Sequence, residues 1–492
     1  MRGSALARDR RNAPKPSDVP MSTFSSERPR SKLLIVVPIL VIVIAALVGG
    51  GLFLRPRFES EPPQIVVSPN VDVVGVAPVE IQVTDKGTGL KSLAATLSQD
   101  GTEQTLATEQ FAQPVGEKSI AVALAKVPGV KEGPAVLRVI ARDASLWSGN
   151  EAVVQKNITI DTTPPTLELI ADDRYINFGG VGAIVYKASA DTATSGIKIG
   201  NYFFPGFAGQ VKDHPDHILA FFAHPHDAPP EARPTLVATD KAGNTRETRL
   251  AYELKNVRYK KSTLAVSASF LQNKVAPLLT DVAARQGAPK DVFIAVNRRL
   301  RKENEDRISA ITQKATPKML WKDAFSQLSN SKVEANFAEL RTYTYNGEAI
   351  DTAYHLGYDL SVTKHYPVEA ANSGTVVFAG DLGIYGNTVI LDHGLGLFSL
   401  YGHLSSIDVK TGDSVSQRQA LGKTGETGLA GGDHLHFAIY LHGVAVLPVE
   451  WWDQKWIDDN IKPKLEGRSG QEIAEAQRQA KPAGKGGGKR RR

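Results

Sequence analysis

The chain has 492 residues, 42% apolar and 22% charged, a length that exceeds one core and predicts roughly two to four domains. It has no cysteine, which excludes disulfides, thiolate metal ligands and cysteine nucleophiles, so any metal must be held by His, Asp or Glu. Its net charge of +6 sits in the two ends, +5 in residues 1–32 and +6 in residues 467–492, so the body is near −5 and a basic nucleic-acid-binding face is not indicated.

Residues 1–32 form a basic tail. Residues 33–54 (LLIVVPILVIVIAALVGGGLFL) then run 22 positions without a charge, enough to cross a hydrocarbon core of roughly 30 Å. A secretory signal has a shorter apolar stretch, about 7–15 residues, ending in a small-residue cleavage site that is absent here. An uncleaved single-pass anchor in the inner membrane is therefore expected. Arg28, Arg30 and Lys32 precede it, which predicts a cytoplasmic N-terminus and a periplasmic or otherwise extracytoplasmic body. Arg55 and Arg57 oppose that orientation but are outnumbered.

Residues 60–160 read as short strands. After Pro78, Val79, Ile81 and Val83 line one face and Glu80, Gln82 and Thr84 the other. The pattern partly repeats over residues 161–255. Pro62-Pro63 and Pro164-Pro165 open the two stretches, and Asp85 with Gly89 answers Asp191 with Gly196. ARDASLWSGN, ending at Asn150, answers ATDKAGN, ending at Asn244. Two tandem β-sandwich modules resembling bacterial immunoglobulin-like domains are expected, serving as a spacer or binding wall or a protein partner. In residues 265–340, Phe293, Val296, Leu300, Ile308 and Ile311 recur at helical spacing beneath a charged face, RRLRKENEDR. That predicts a helical connector able to sit over the following domain. Strands return over 341–455, and residues 467–492 are low-complexity and basic, which predicts disorder.

Histidine carries the chemistry. His434 and His436 lie two apart, so on a strand they project together while Leu435 and Phe437 enter the core. Side by side and half buried, they cannot both charge, but a cation can replace their protons. His355 and Asp359 are four apart and would be about 13 Å apart if extended. A bend at Gly357 brings them together. Two imidazoles and a carboxylate are a common catalytic zinc set.

HLGYD at 355–359, LYGHLS around His403 and HLHF at 434–437 resemble, in order, the signature of the lysostaphin-type (LytM-like) zinc metalloendopeptidases. SGTVVFAGDLGIYGNTVILDHG, VKTGDSV and LGKTGETG extend the likeness over about residues 341–455. The resemblance implies one zinc ion held by His355, Asp359 and His436. His403 and His434 would be catalytic, orienting the attacking water or stabilising the developing oxyanion, and the sequence does not say which does which. It also implies hydrolysis of peptide crosslinks in peptidoglycan by metal-activated water. Because all five positions are filled, the chain differs from relatives that lost ligands and only regulate other wall hydrolases, the alternative reading. Asp433 and Ala438 depart from the family's usual Pro and Glu, which bears on substrate fit.

The whole reads as mainly β: a transmembrane helix, two sandwich modules, a helical connector and a C-terminal all-β zinc peptidase. His365, His393 and His442 are expected to be exposed or singly hydrogen-bonded. His214, His217, His224 and His226 are expected in irregular loops without a completing carboxylate.

Overall fold

Alternation in VEIQVT becomes alternation in burial: Val79, Ile81 and Val83 are buried while Glu80 and Gln82 face solvent. In this computed structural model, which describes residues 33–54, 57–146, 149–255 and 257–480, that strand is the centre of a three-stranded sheet with Gln64–Ser68 and Glu117–Val122. A five-stranded sheet faces it, ordered Val73–Val74, Glu151–Ile160, Gly133–Asp143, Leu90–Gln99, Thr102–Val115. The two enclose a separate core that includes Ile81, Leu93, Leu97 and Val139. The second module also has two main sheets, of four strands each, centred on Val181–Ala188 with Ile218–Ala223 and on Thr192–Ile199 with Thr235–Asp240. The expected immunoglobulin likeness extends no further than this two-layer arrangement.

The second module is no free spacer. Its core runs into the C-terminal domain, with Phe221 edge-on to Trp451 at 6.1 Å. ILAFFA (218–223) is buried at five of its six positions because it is covered on both faces. Lys464, 1% exposed, pairs with Asp173 of the module, and removing either partner would strand a buried charge at about 3–5 kcal/mol.

Glu450 makes this junction sensitive to pH. It accepts from Asn177 Nδ2 at 2.7 Å and from the Val181 amide at 2.8 Å. Burial pushes its carboxyl up to about 7, against these hydrogen bonds. The folded chain therefore holds a proton that the unfolded chain releases. The resulting stability is complete below about pH 4.5 and is lost as pH rises through about 7, roughly 3 kcal/mol in all. Glu450→Gln should flatten that part of the pH dependence. Melting curves of both forms at pH 5 and pH 8 check this, and an equal pH response in the two would refute it.

The C-terminal sheet is antiparallel, with the path Lys332–Ala335, Tyr358–Ser361, Leu435–Leu441, Leu397–Leu404, Asn387–Asp392, Gly374–Asp381, Ser414–Val415. Every residue of Leu397–Leu404 and Leu435–Leu441 is buried, since each face of the sheet carries its own cluster. One face meets the second module and the C-terminal helices. The other meets the helical segment, where Pro289–Ile294, a π-helical stretch Ala295–Leu300 and Arg301–Thr312 run on continuously. Phe293, Val296 and Ile308 are buried there with Phe398, Leu400 and Tyr440, so the helical spacing does define the packed face.

Two expectations change at the ends. Gly470–Ala480 is helical, not disordered. Ser469 and Glu472 form a capping box, with the Ser469 amide and Oγ donating to Glu472 Oε2 at 2.7 and 2.8 Å, and Ile473 is buried in the core shared with the second module. Residues 481–492 and 1–32 lie outside the described residues. At the N-terminus, Leu33–Leu54 is one helix. Its side chains are described from Val36 to Leu52 and at Leu54. Among the described residues no helix is long and apolar enough to cross a membrane. The fold thus does not establish the expected anchor.

Candidate metal centre

Three strands bring three side chains to one point. His355 ends Glu348–His355, Asp359 lies in Tyr358–Ser361, and His436 lies in Leu435–Leu441. Antiparallel register sets Asp359 opposite His436, so both point to one face. Between His355 and Asp359 the chain turns at Leu356-Gly357. Only glycine fits, because a Cβ at 357 would stand 2.7 Å from His436 Nε2 and from the Phe437 carbonyl oxygen. His355 Nε2 is 2.9 Å from Asp359 Oδ1 and 3.0 Å from His436 Nδ1, which is 3.1 Å from the same Oδ1.

These atoms suit a cation. His355 Nδ1–H donates to the Asn336 carbonyl at 3.0 Å, so Nε2 presents a lone pair toward a carboxylate oxygen. Facing lone pairs repel unless a positive charge lies between them. Ligands on a tetrahedral zinc at about 2.0–2.1 Å stand roughly 3.3 Å apart, within a few tenths of the spacing here, and two imidazoles with one carboxylate fit that metal. Arg341 Nη2 donates to Asp359 Oδ2 at 2.7 Å, which fixes the carboxylate and leaves Oδ1 for the ion. Burial holds His436 down at about 4, only partly opposed by Asp359, so it is neutral and able to ligate near pH 7. Burial works against the charge of Asp359, but when the neighbouring histidines carry protons, His355 first, they outweigh it and hold the carboxyl well below its ordinary range.

His403 and His434 flank this point, their ring centroids 4.8 Å apart and His403 5.8 Å from His436. His403 Nδ1–H donates to the Thr427 carbonyl and His434 Nδ1–H to the Gly432 carbonyl, each at 2.8 Å. His434 Nε2 lies 3.5 Å from Asp359 Oδ1. Strand alternation would put His403 on the face of Tyr401, but the structure does not. Tyr401 pairs with Phe437 in the core, their rings 5.5 Å apart. At His403 φ is +62°, and this left-handed residue turns the imidazole back to the His436 side. Burial, then the neighbouring His434 and His436, hold His403 well below its usual value. Burial also works against charge on His434, but Asp359 outweighs it and raises that group.

The five residues border a cavity of about 450 Å³ whose other wall comes from the helical segment, through Phe270, Phe293 and Arg301. Arg341 has no local sequence signal, and the helical spacing that includes Phe293 does not say that it walls this cavity, since both depend on contacts between distant segments. Of the other histidines, His365 is exposed as expected. His393 is instead fully buried, bonded at 2.7 Å both to the Ser373 carbonyl and to Ser399 Oγ. His442 is 8% exposed and stacks on Phe207 of the second module, 5.8 Å away. Asp216 does come within reach of His214 and His217, contrary to expectation, although it also pairs with Lys187 at 3.2 Å. His224 bonds Tyr252 Oη through Nδ1 at 2.6 Å, and His226 packs edge-on to Phe337 and Tyr354.

A family profile described as Peptidase family M23 matches residues 353–448. The DD-carboxypeptidase/endopeptidase Mpg of Neisseria meningitidis serogroup B is 37% identical over 95 residues, 19% of this chain and 22% of that protein. The peptidoglycan DD-endopeptidase ShyA of Vibrio cholerae is 33% identical over 115 residues, 23% of this chain and 26% of that protein. Stage II sporulation protein Q of Bacillus subtilis is 34% identical over 135 residues, 25% of this chain and 48% of that protein. The chain thus spans from about a fifth to about half of the length of these relatives.

Proposed function

Taking as premise that residues 353–448 are a peptidase family M23 domain, we propose that the chain is a membrane-anchored zinc endopeptidase cutting peptide crosslinks of peptidoglycan. The observation that carries this reading is the convergence of His355 Nε2, Asp359 Oδ1 and His436 Nδ1 within 3.1 Å at a cavity flanked by two further histidines. Bound there, zinc supplies a Lewis acid for an amide carbonyl and acidifies a water. His403, kept neutral by burial, offers its Nε2 lone pair as the proton acceptor. His434, which retains its proton more readily, offers a donor for the oxygen that gains negative charge. Arg341 keeps Asp359 in place throughout.

The Vibrio cholerae relative is a peptidoglycan DD-endopeptidase, which supports peptidoglycan as the substrate. The anchor is supported by the uncharged helix Leu33–Leu54, whose described side chains are exposed on every side from Val36 to Val48, with no polar face to turn to water. The test uses the full chain expressed in its membrane. It should cosediment with membrane after alkaline washing, carry one zinc per chain by elemental analysis, and release crosslinked peptides from isolated wall until chelator is added. Undiminished cleavage in excess chelator would remove the metal from the reading. Recovery in the soluble fraction would remove the anchor.

A further inference from the structure

The sequence repeat between the two modules has a structural counterpart that the peptidase reading does not use. In the first module Glu59, Asp85 and Asp143 bring carboxylate oxygens within 4.8 Å of one another, and in the second Asp161, Asp191 and Asp240 do the same. The positions correspond. Glu59 and Asp161 lie on the lead-in to each module's first strand, Asp85 and Asp191 in the turn before Leu90–Gln99 and Thr192–Ile199. Asp143 and Asp240 end Gly133–Asp143 and Thr235–Asp240. An asparagine holds each group the same way. Asn150 Nδ2 donates to the Glu59 carbonyl and to Asp143 Oδ2 at 2.9 and 2.8 Å. Asn244 Nδ2 donates to the Asp161 carbonyl and to Asp240 Oδ2 at 2.8 and 3.0 Å.

Three carboxylates so placed repel one another unless a cation offsets them, yet in the second module no Lys or Arg among the described residues forms an ion pair with Asp161, Asp191 or Asp240. Oxygens are also left without partners. Asp191 Oδ1 is buried with no hydrogen bond, as are the neighbouring Thr192 Oγ1 and, in the first module, Thr88 Oγ1. Asp85 is 7% exposed, and its Oδ1 accepts from both Gly87 and Gly89. A buried acceptor left unmet costs about 1–3 kcal/mol, a penalty that a bound ion would lift.

We infer that each module binds one calcium ion through these three carboxylates, so that calcium fixes the lead-in segment to the module that follows. The donors are all oxygen, which selects a hard cation over zinc. Oxygens within 4.8 Å of one another can share one Ca²⁺, which takes six to eight of them at about 2.3–2.6 Å, whereas Mg²⁺ keeps several waters and is usually held by only one or two carboxylates. The second site stands where the modules touch. The Val76 amide donates to Asn244 Oδ1 at 3.4 Å, and Gly75 lies so close to the 242–244 turn that a Cβ would sit 2.5 Å from the Ala242 carbonyl oxygen. Calcium at this point sets the angle between the first module and the body that contains the peptidase. The first site does the same for the segment coming from Leu33–Leu54.

The test is equilibrium dialysis of radioactive calcium chloride against the zinc-loaded full chain and its variants. Uptake of two ions per chain is expected, with dissociation constants of about 0.1–1 mM. Glu59→Gln should remove one ion, Asp191→Asn the other, and the double variant both, with zinc content unchanged. The Asp191 side chain has no hydrogen bond to lose at Oδ1, and Glu59→Gln keeps an oxygen for the Thr88 amide, so both variants should fold. Melting temperature should rise with calcium in the wild type and not in the double variant. No uptake at 10 mM (about ten times the weakest constant expected), or uptake unchanged in the double variant, overturns the proposal. A single ion lost with only one variant overturns the other site.

Discussion

Replacing His436 by alanine should release the zinc and lower crosslink cleavage by about a thousandfold or more, because a metal Lewis acid contributes several kcal/mol to the transition state. The fold should survive. Leu435 and Phe437 remain in the core on the far face, and the strand keeps its register with Tyr358–Ser361 and Leu397–Leu404. Elemental analysis and circular dichroism of the variant check both halves, and retention of zinc at wild-type stoichiometry would show that His436 is not a ligand. Burial holds His436 down at about 4, so this ligand loses less to proton competition than an ordinary histidine near about 6.5 would.

His403→Ala and His434→Ala should behave differently from His436→Ala, keeping zinc while kcat falls by about 10²–10⁴, the usual worth of general acid–base help. The wild-type rate should follow a bell with its optimum between about pH 7 and 9. His434 is raised by Asp359 against the opposing effect of burial, so it keeps its proton to higher pH than a free imidazole, and its deprotonation forms the alkaline limb. That limb should vanish in His434→Ala and persist in His403→Ala. An unchanged alkaline limb in His434→Ala would reverse the roles given to the two histidines. Loss of zinc from both variants, to the extent seen with His436→Ala, would instead place them in the ligand set.

Both predictions depend on residues of unequal legibility. His434 and His436 were readable because a strand has period two, and the bend at Gly357 because His355 and Asp359 could not otherwise share an ion. The basic, low-complexity character of residues 467–492 predicts disorder where a helix forms, opened by the capping box of Ser469 and Glu472. His403 was visible as a residue and misplaced as a side chain. Its positive φ is a backbone choice that neighbouring letters do not encode, and it reverses the face that strand alternation assigns.

By itself the sequence determined the chemistry: no cysteine, therefore histidine and carboxylate donors, in an ordered set whose spacing suits a metal. It also determined the repeat of two β modules and the apolar stripe of the helical segment. Only the tertiary structure decided what those parts form together. His355 and His436 are 81 residues apart, Arg341 reaches Asp359 from another strand, and Glu450 bonds to a module more than 260 residues before it. The wall of the cavity opposite the metal point comes from residues 264–301. Local pattern can report which way a side chain faces, because that depends on the residue's own backbone period. It cannot report which distant surface it meets, because that is fixed by long-range strand pairing and by the burial of apolar faces against one another.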